Sequence, residues 1–167
     1  MMSDINGITV CAFTGHRAVK REHSGRLQNL LARAIDYAYS RGARTFIAGG
    51  ALGFDTLAAR QVVLFKISHP DVRLELVIPC RDQAERWTDA QRDFYDFLLS
   101  RADSIEIMSD RYTEGCMKKR NARLVERADM LIAYASGKSY SGSMQTVRMA
   151  KEKGIEVYNL YPSLEKE

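Results

Sequence analysis

Three glycines and a carboxylate fall within Gly49-Gly50-Ala51-Leu52-Gly53-Phe54-Asp55. Glycine lets backbone approach a ligand closely and adopts dihedrals closed to other residues. A helical pattern follows over residues 56–67. Its first turn offers unpaired N–H groups and the positive end of a dipole. That combination suits a phosphate or another anion. The spacing is neither Gly-x-Gly-x-x-Gly nor a Walker A loop, which needs Lys-Ser/Thr. Asp55 has three readings: N-cap of the helix, acceptor for a ribose hydroxyl, or catalytic acid.

Three further segments carry polar groups suited to the same ligand. Thr14-Gly15-His16-Arg17 joins a tight turn to a planar guanidinium, which pairs well with phosphate or carboxylate. His16 can donate to a phosphate, titrate near neutral pH or serve as a structural hydrogen-bonder. The loop at residues 136–143 ends in Ser141-Gly142-Ser143, hydroxyls and a glycine at a helix start, with Thr146 one turn further on. Either Ser141 or Ser143 can cap that helix. In Arg120-Asn121, arginine can clamp a phosphate while asparagine reads a base or ribose edge. Trp87, the single tryptophan, suits base stacking or a half-buried anchor. Cys80 has no catalytic partner nearby in sequence and reads as an inert thiol.

Apolar runs at residues 8–13, 44–48, 73–78, 104–108, 130–135 and 155–160 read as short strands. Helical spacing occupies residues 24–40, 56–67, 81–102, 114–128 and 143–153, with Gly42 and Gly154 as stops. Strands alternating with helices imply parallel pairing, and continuously apolar strands imply cover on both faces. The sequence therefore predicts an α/β, Rossmann-like, doubly wound and mainly parallel sheet with helices on both faces. In such sheets ligands bind beyond the strands' carboxyl ends, near a switch in strand order. All these loops except Arg120-Asn121 follow strands, so they belong on one edge.

The 167 residues fit one domain, 1–167, at 46% hydrophobic and 28% charged. No apolar run is long enough for a bilayer, and residues 1–7 lack the features of a secretory signal. Cys11, Cys80 and Cys116 match neither a zinc site nor a disulfide framework, so reduced thiols in a cytoplasmic protein are expected. A metal site is not expected. The net charge of +4 permits an anionic partner.

Taken in order, Thr14-Gly15-His16-Arg17, Gly49 to Asp55, Arg120-Asn121 and Ser141-Gly142-Ser143 resemble the SLOG superfamily. That group includes DprA/Smf-like proteins, LOG-type phosphoribohydrolases and YpsA-like proteins. The resemblance spans residues 8–160, and Asp82-Gln83 with Trp87 look most like the YpsA-like branch. It implies a nucleotide-derived ligand, ADP-ribose- or NAD-like, held by Thr14, Gly15, His16, Arg17, Gly49, Gly50, Gly53, Asp55, Arg120, Asn121, Ser141, Gly142 and Ser143. LOG-type enzymes carry a catalytic glutamate in Pro-Gly-Gly-x-Gly-Thr-x-x-Glu, whereas residues 141–149 here contain none. Binding or sensing is therefore the first expectation. Hydrolysis of a nucleoside phosphate or ADP-ribose by Asp55, Glu114 or Glu85 is the second. DprA-like binding of single-stranded DNA is the third, and a homo-oligomer is compatible with each.

Overall fold

The computed structural model describes residues 7–137 and 141–166. Six strands form one sheet: β1 (Val10–Gly15), β2 (Thr45–Ala48), β3 (Arg73–Ile78), β4 (Ser104–Ile107), β5 (Met130–Tyr134) and β6 (Glu156–Asn159). Their spatial order is β4-β3-β2-β1-β5-β6, and every pairing is parallel. The order reverses beside β1, so the switch point lies between β1 and β5.

The helices are α1 (Ser24–Ser40), α2 (Phe54–Ser68), α3 (Asp89–Arg101), α4 (Cys116–Arg127), α5 (Gly142–Lys153) and the short α6 (Tyr161–Leu164). Alternate strand residues feed two separate cores. Phe13, Phe46, Leu74 and Ile132 pack with Leu31 of α1, Phe54 and Val62 of α2, Leu98 of α3 and Tyr161 of α6. Ala12, Ile47, Val77 and Leu131 pack with Leu124 of α4 and Val147 of α5. Both faces are covered, which explains why the central strands β1, β2 and β5 lack polar alternation.

The starts of α3 and α4 fall later than the sequence expectation. Residues 81–102 do not form one helix: 81–87 are turns, and α3 begins at Asp89. Thr88 fixes that start. Its hydroxyl accepts from the Gln91 amide at 3.1 Å, and its own amide donates to the Gln91 side chain at 3.0 Å. This capping box satisfies two otherwise orphaned donors and outweighs the helical periodicity before it. α4 begins at Cys116, because Gly115 holds a left-handed φ of 82° and breaks the backbone there.

Gly42 and Gly154 end α1 and α5 with positive φ, as their positions predict. Among the described residues no helix is long and apolar enough to cross a membrane. The reading of residues 1–7 falls almost wholly outside the described residues, as do Lys138, Ser139 and Tyr140 of the third loop.

Candidate functional site

At the switch point the loops after β1, β2 and β5 meet the first turns of α4 and α5. They enclose a cleft of about 270 Å³. Thr14, Gly15, His16, Arg17, Asp55, Arg120, Asn121, Ser141, Gly142 and Ser143 line it, together with Ala51 and Met117. The last two are not singled out by sequence reasoning. Met117 lies three residues before Arg120 on α4, a spacing that puts the two on one face, so the helical period could have found it.

Gly49, Gly50 and Gly53 lie behind this lining and make it possible. A Cβ on Gly49 would sit 2.4 Å from Arg120 Nη1 and 2.8 Å from Asp55 Oδ2. The absence of a side chain therefore lets the guanidinium and the carboxylate flank the same point. Gly50 has a φ of +72°, and a Cβ there would strike Ile78. Gly53 has a φ of +79°, and its Cβ would sit 2.1 Å from the Arg17 carbonyl oxygen. The second loop thus rests directly on the backbone of the first. A Cβ on Gly15 would overlap the Phe54 ring, so these two residues also fit face to face.

Asp55 is not the N-cap of α2, which is Gly53. The helix starts two residues earlier than the periodicity suggests, placing Asp55 inside the first turn. Its Oδ2 reaches back to accept from the Ala51 amide at 3.3 Å, and the Thr56 hydroxyl donates to the Ala51 carbonyl at 2.7 Å. Asp55 is only 5% exposed. Burial pushes its carboxyl up to about 6, against the opposing pull of Arg120, the Ala51 amide and Arg17.

Arg120 is 4% exposed. It donates through Nη1 to the Gly49 carbonyl and through Nε to Asn121 Oδ1 at 2.8 Å. Burial lowers its pKa and the neighbouring Asp55 raises it. A guanidinium stays charged even so. Arg17 is exposed, and among the described residues its side chain has no hydrogen-bond or ion-pair partner. At the third wall the Ser141 hydroxyl caps α5 by accepting from the Met144 amide at 3.2 Å, and Thr146 donates to the Gly142 carbonyl at 2.8 Å. Ser143 is buried in the first turn.

His16 ties the loops together. Its amide donates to the Tyr134 carbonyl at 3.1 Å, and its carbonyl accepts from the Phe54 amide at 3.1 Å. Its Nε2 accepts from the Ser136 amide at 2.8 Å, so the neutral ring carries its proton on Nδ1. Burial lowers the His16 pKa. Its stabilisation is therefore present above the ordinary histidine range and is lost as pH falls through the lowered value. His16→Ala should cost about 1–2 kcal/mol by removing the acceptor to which the Ser136 N–H donates. The urea midpoint should fall with an unchanged m-value, and an unchanged midpoint would refute this role for the ring.

Trp87 is a half-buried anchor, meeting Tyr95 edge to face with ring centroids 5.1 Å apart. Cys80 is buried, and Asp82 and Cys116 lie close enough to act on its thiol. Burial is the main cause that pushes it up to about 12, too high for a nucleophile at neutral pH. Glu114 is exposed and outside the cleft lining, and Glu85 lines a neighbouring cavity.

Fold and cleft together define a Rossmann-like α/β protein whose switch point is walled by two arginines, a buried carboxylate and a helix start rich in hydroxyls. The chain belongs to the YpsA group, the YspA SLOG family, whose family model matches residues 11–161. It is similar to the UPF0398 proteins of Bacillus cereus (strain G9842) and Bacillus thuringiensis (strain Al Hakam). Each is 30% identical over 162 residues, covering 91% of this chain and 88% of the relative. Among solved structures it is similar to DNA processing protein A from Helicobacter pylori, described for its single-stranded DNA binding mode. There the TM-score is 0.62 and the identity 22%, over 89% of this chain and 63% of that one. This chain thus spans less than two thirds of that structure's length, and at such identity the likeness concerns the fold.

Proposed function

We propose that the cleft binds the phosphoryl end of a nucleotide-derived small molecule, ADP-ribose- or NAD-like or a simpler nucleotide. The observation that carries this reading is the convergence of Arg17, Arg120 and the start of α5 on one cleft, with Asp55 beside Arg120. Arg17 and the first-turn N–H groups of α5 take the phosphate. Arg120 supplies charge from below. The glycine loop already holds an anion of its own, since Asp55 accepts from Ala51. The external phosphate therefore sits toward Ser141, Gly142 and Ser143, leaving Asp55 for a ribose hydroxyl. A ligand at a hundred times its dissociation constant adds about 2.7 kcal/mol, roughly 5–10 °C for a chain of this size. A thermal-shift panel of AMP, ADP, ADP-ribose and NAD should show such a rise for at least one member. A flat panel at millimolar concentration would refute the proposal.

A second reading follows from Asp55 itself. A carboxyl with a pKa of about 6 facing a cleft is suited to general acid or base work. It favours cleavage of the N-glycosidic or phosphoester bond, although the glutamate of LOG-type enzymes is absent. Incubation with AMP, ADP-ribose and NAD followed by chromatography separates the two: intact substrates mean binding alone. The similarity to DNA processing protein A supports a third reading, single-stranded DNA as ligand. That reading requires steeply salt-dependent binding, and it fails if no gel shift occurs at low salt.

A further inference from the structure

A second cavity adjoins the cleft. It measures about 620 Å³, and Arg17 and Met117 belong to the walls of both. The partition between them is thus two long, flexible side chains. The first cleft alone is smaller than the roughly 300–1,000 Å³ typical of small-molecule sites, and the two together fall within that range. A phosphoryl ribose fills the smaller compartment, and the rest of a nucleotide has to go elsewhere.

The larger compartment has the chemistry for a base. Trp87 lines it, with its ring plane fixed by the edge-to-face contact with Tyr95. Tyr112, also in the wall, is 66% exposed. Two buried oxygens of the lining residues, Asp82 Oδ1 and Gln83 Oε1, have no hydrogen-bond partner among the described residues. The Gln83 amide nitrogen is committed to the Gly50 carbonyl and the Tyr95 hydroxyl, both at 3.3 Å, which leaves its oxygen an acceptor. Buried acceptors left unpaired are costly, and both of these can take an N–H or O–H donor.

We infer that this second cavity receives the nucleobase of the molecule whose phosphate lies in the first, stacked on Trp87. The base carries an amino group, as adenine does, that donates to Asp82 and Gln83. Arg17 stands at the seam and grips the phosphate between the two lobes. The inference rests on the phosphate reading of the cleft, so its test has to fail separately from that reading.

Trp87 is the only tryptophan, and its emission reports on this cavity alone. The probes are AMP, ribose 5-phosphate and purine riboside 5′-monophosphate, which lacks only the amino group. AMP should quench the emission, whereas ribose 5-phosphate should raise the melting temperature without changing it. Trp87→Leu should weaken AMP roughly tenfold and leave ribose 5-phosphate unaffected, and Trp87→Phe should restore most of the loss. The purine analogue should bind roughly tenfold more weakly than AMP. Equal affinities for AMP and ribose 5-phosphate, unchanged emission with AMP bound, or equal affinities for AMP and the purine analogue would overturn the inference and leave the cleft reading standing. If neither AMP nor ribose 5-phosphate raises the melting temperature, this inference is overturned, and the cleft reading falls with it when ADP, ADP-ribose and NAD leave the temperature unchanged as well.

Discussion

Gly53→Ala should destabilise the protein by about 3 kcal/mol and abolish the nucleotide binding proposed for the cleft. Two independent penalties combine at this position. The backbone sits at a φ of +79°, where a side chain is strained. The new Cβ would also be 2.1 Å from the Arg17 carbonyl oxygen, a backbone atom that cannot rotate aside. The loops after β1 and β2 would have to separate, carrying Arg17 away from Arg120 and Asp55. A loss of this size lowers the melting temperature by roughly 6–12 °C in a chain of this length. Gly25 makes the control, because a Cβ there meets nothing within 4 Å and Gly25→Ala should leave stability unchanged or slightly raised. A melting temperature for Gly53→Ala within a degree of the parent would show that the two loops do not depend on each other.

Asp55→Asn should separate stability from function. The Asp55 carboxyl loses its proton near 3.8 in an unfolded chain and at about 6 in the fold. Between these values the folded state holds more protons. Stability therefore falls as pH rises through that window and is level above it. The shift corresponds to about 3 kcal/mol. Asparagine keeps an acceptor for the Ala51 amide but carries no charge, so the variant should lack this fall. At pH 4 the two proteins should have similar stabilities. At pH 7.5 the variant should be the more stable by up to about 3 kcal/mol while binding ligand more weakly, as expected for a strained functional group. His16 titrates in the opposite sense in both proteins, so their difference isolates Asp55. Urea melts at pH 4, 5, 6 and 7.5 provide the measurement. Parallel curves would show that the Asp55 carboxyl titrates alike in the folded and the unfolded chain.

The buried carboxylate of Asp55 illustrates how far residue types alone can be read. It is visible in the sequence as a polar group at a helix start, but its role as a cap depends on where α2 begins. Phe54, fitted against Gly15 and packed in the core, draws the helix start forward to residue 54, and Gly53 becomes the cap. The long helix expected at residues 81–102 is interrupted for a comparable reason. The Thr88–Gln91 capping box is a local signal, but the stronger apolar periodicity around it hides the break. The turns it leaves at residues 81–87 form much of the second cavity; the sequence shows Trp87 as a candidate for stacking but not the cavity around it.

What the sequence determined by itself is local: the alternation of strands and helices, the stops at Gly42 and Gly154, and the grouping of chemically suited residues after β1, β2 and β5. These follow from side-chain period and backbone freedom, which act over a few residues. The tertiary structure decided everything that depends on strand order. Arg120 donates to a carbonyl 71 positions away, and His16 accepts from an amide 120 positions away. Cys80 and Cys116, far apart in sequence, bring their thiols together. The elevated pKa of Asp55 belongs to the same level, because desolvation depends on which parts of the chain exclude the water. Only the folding of the sheet about its switch point sets that.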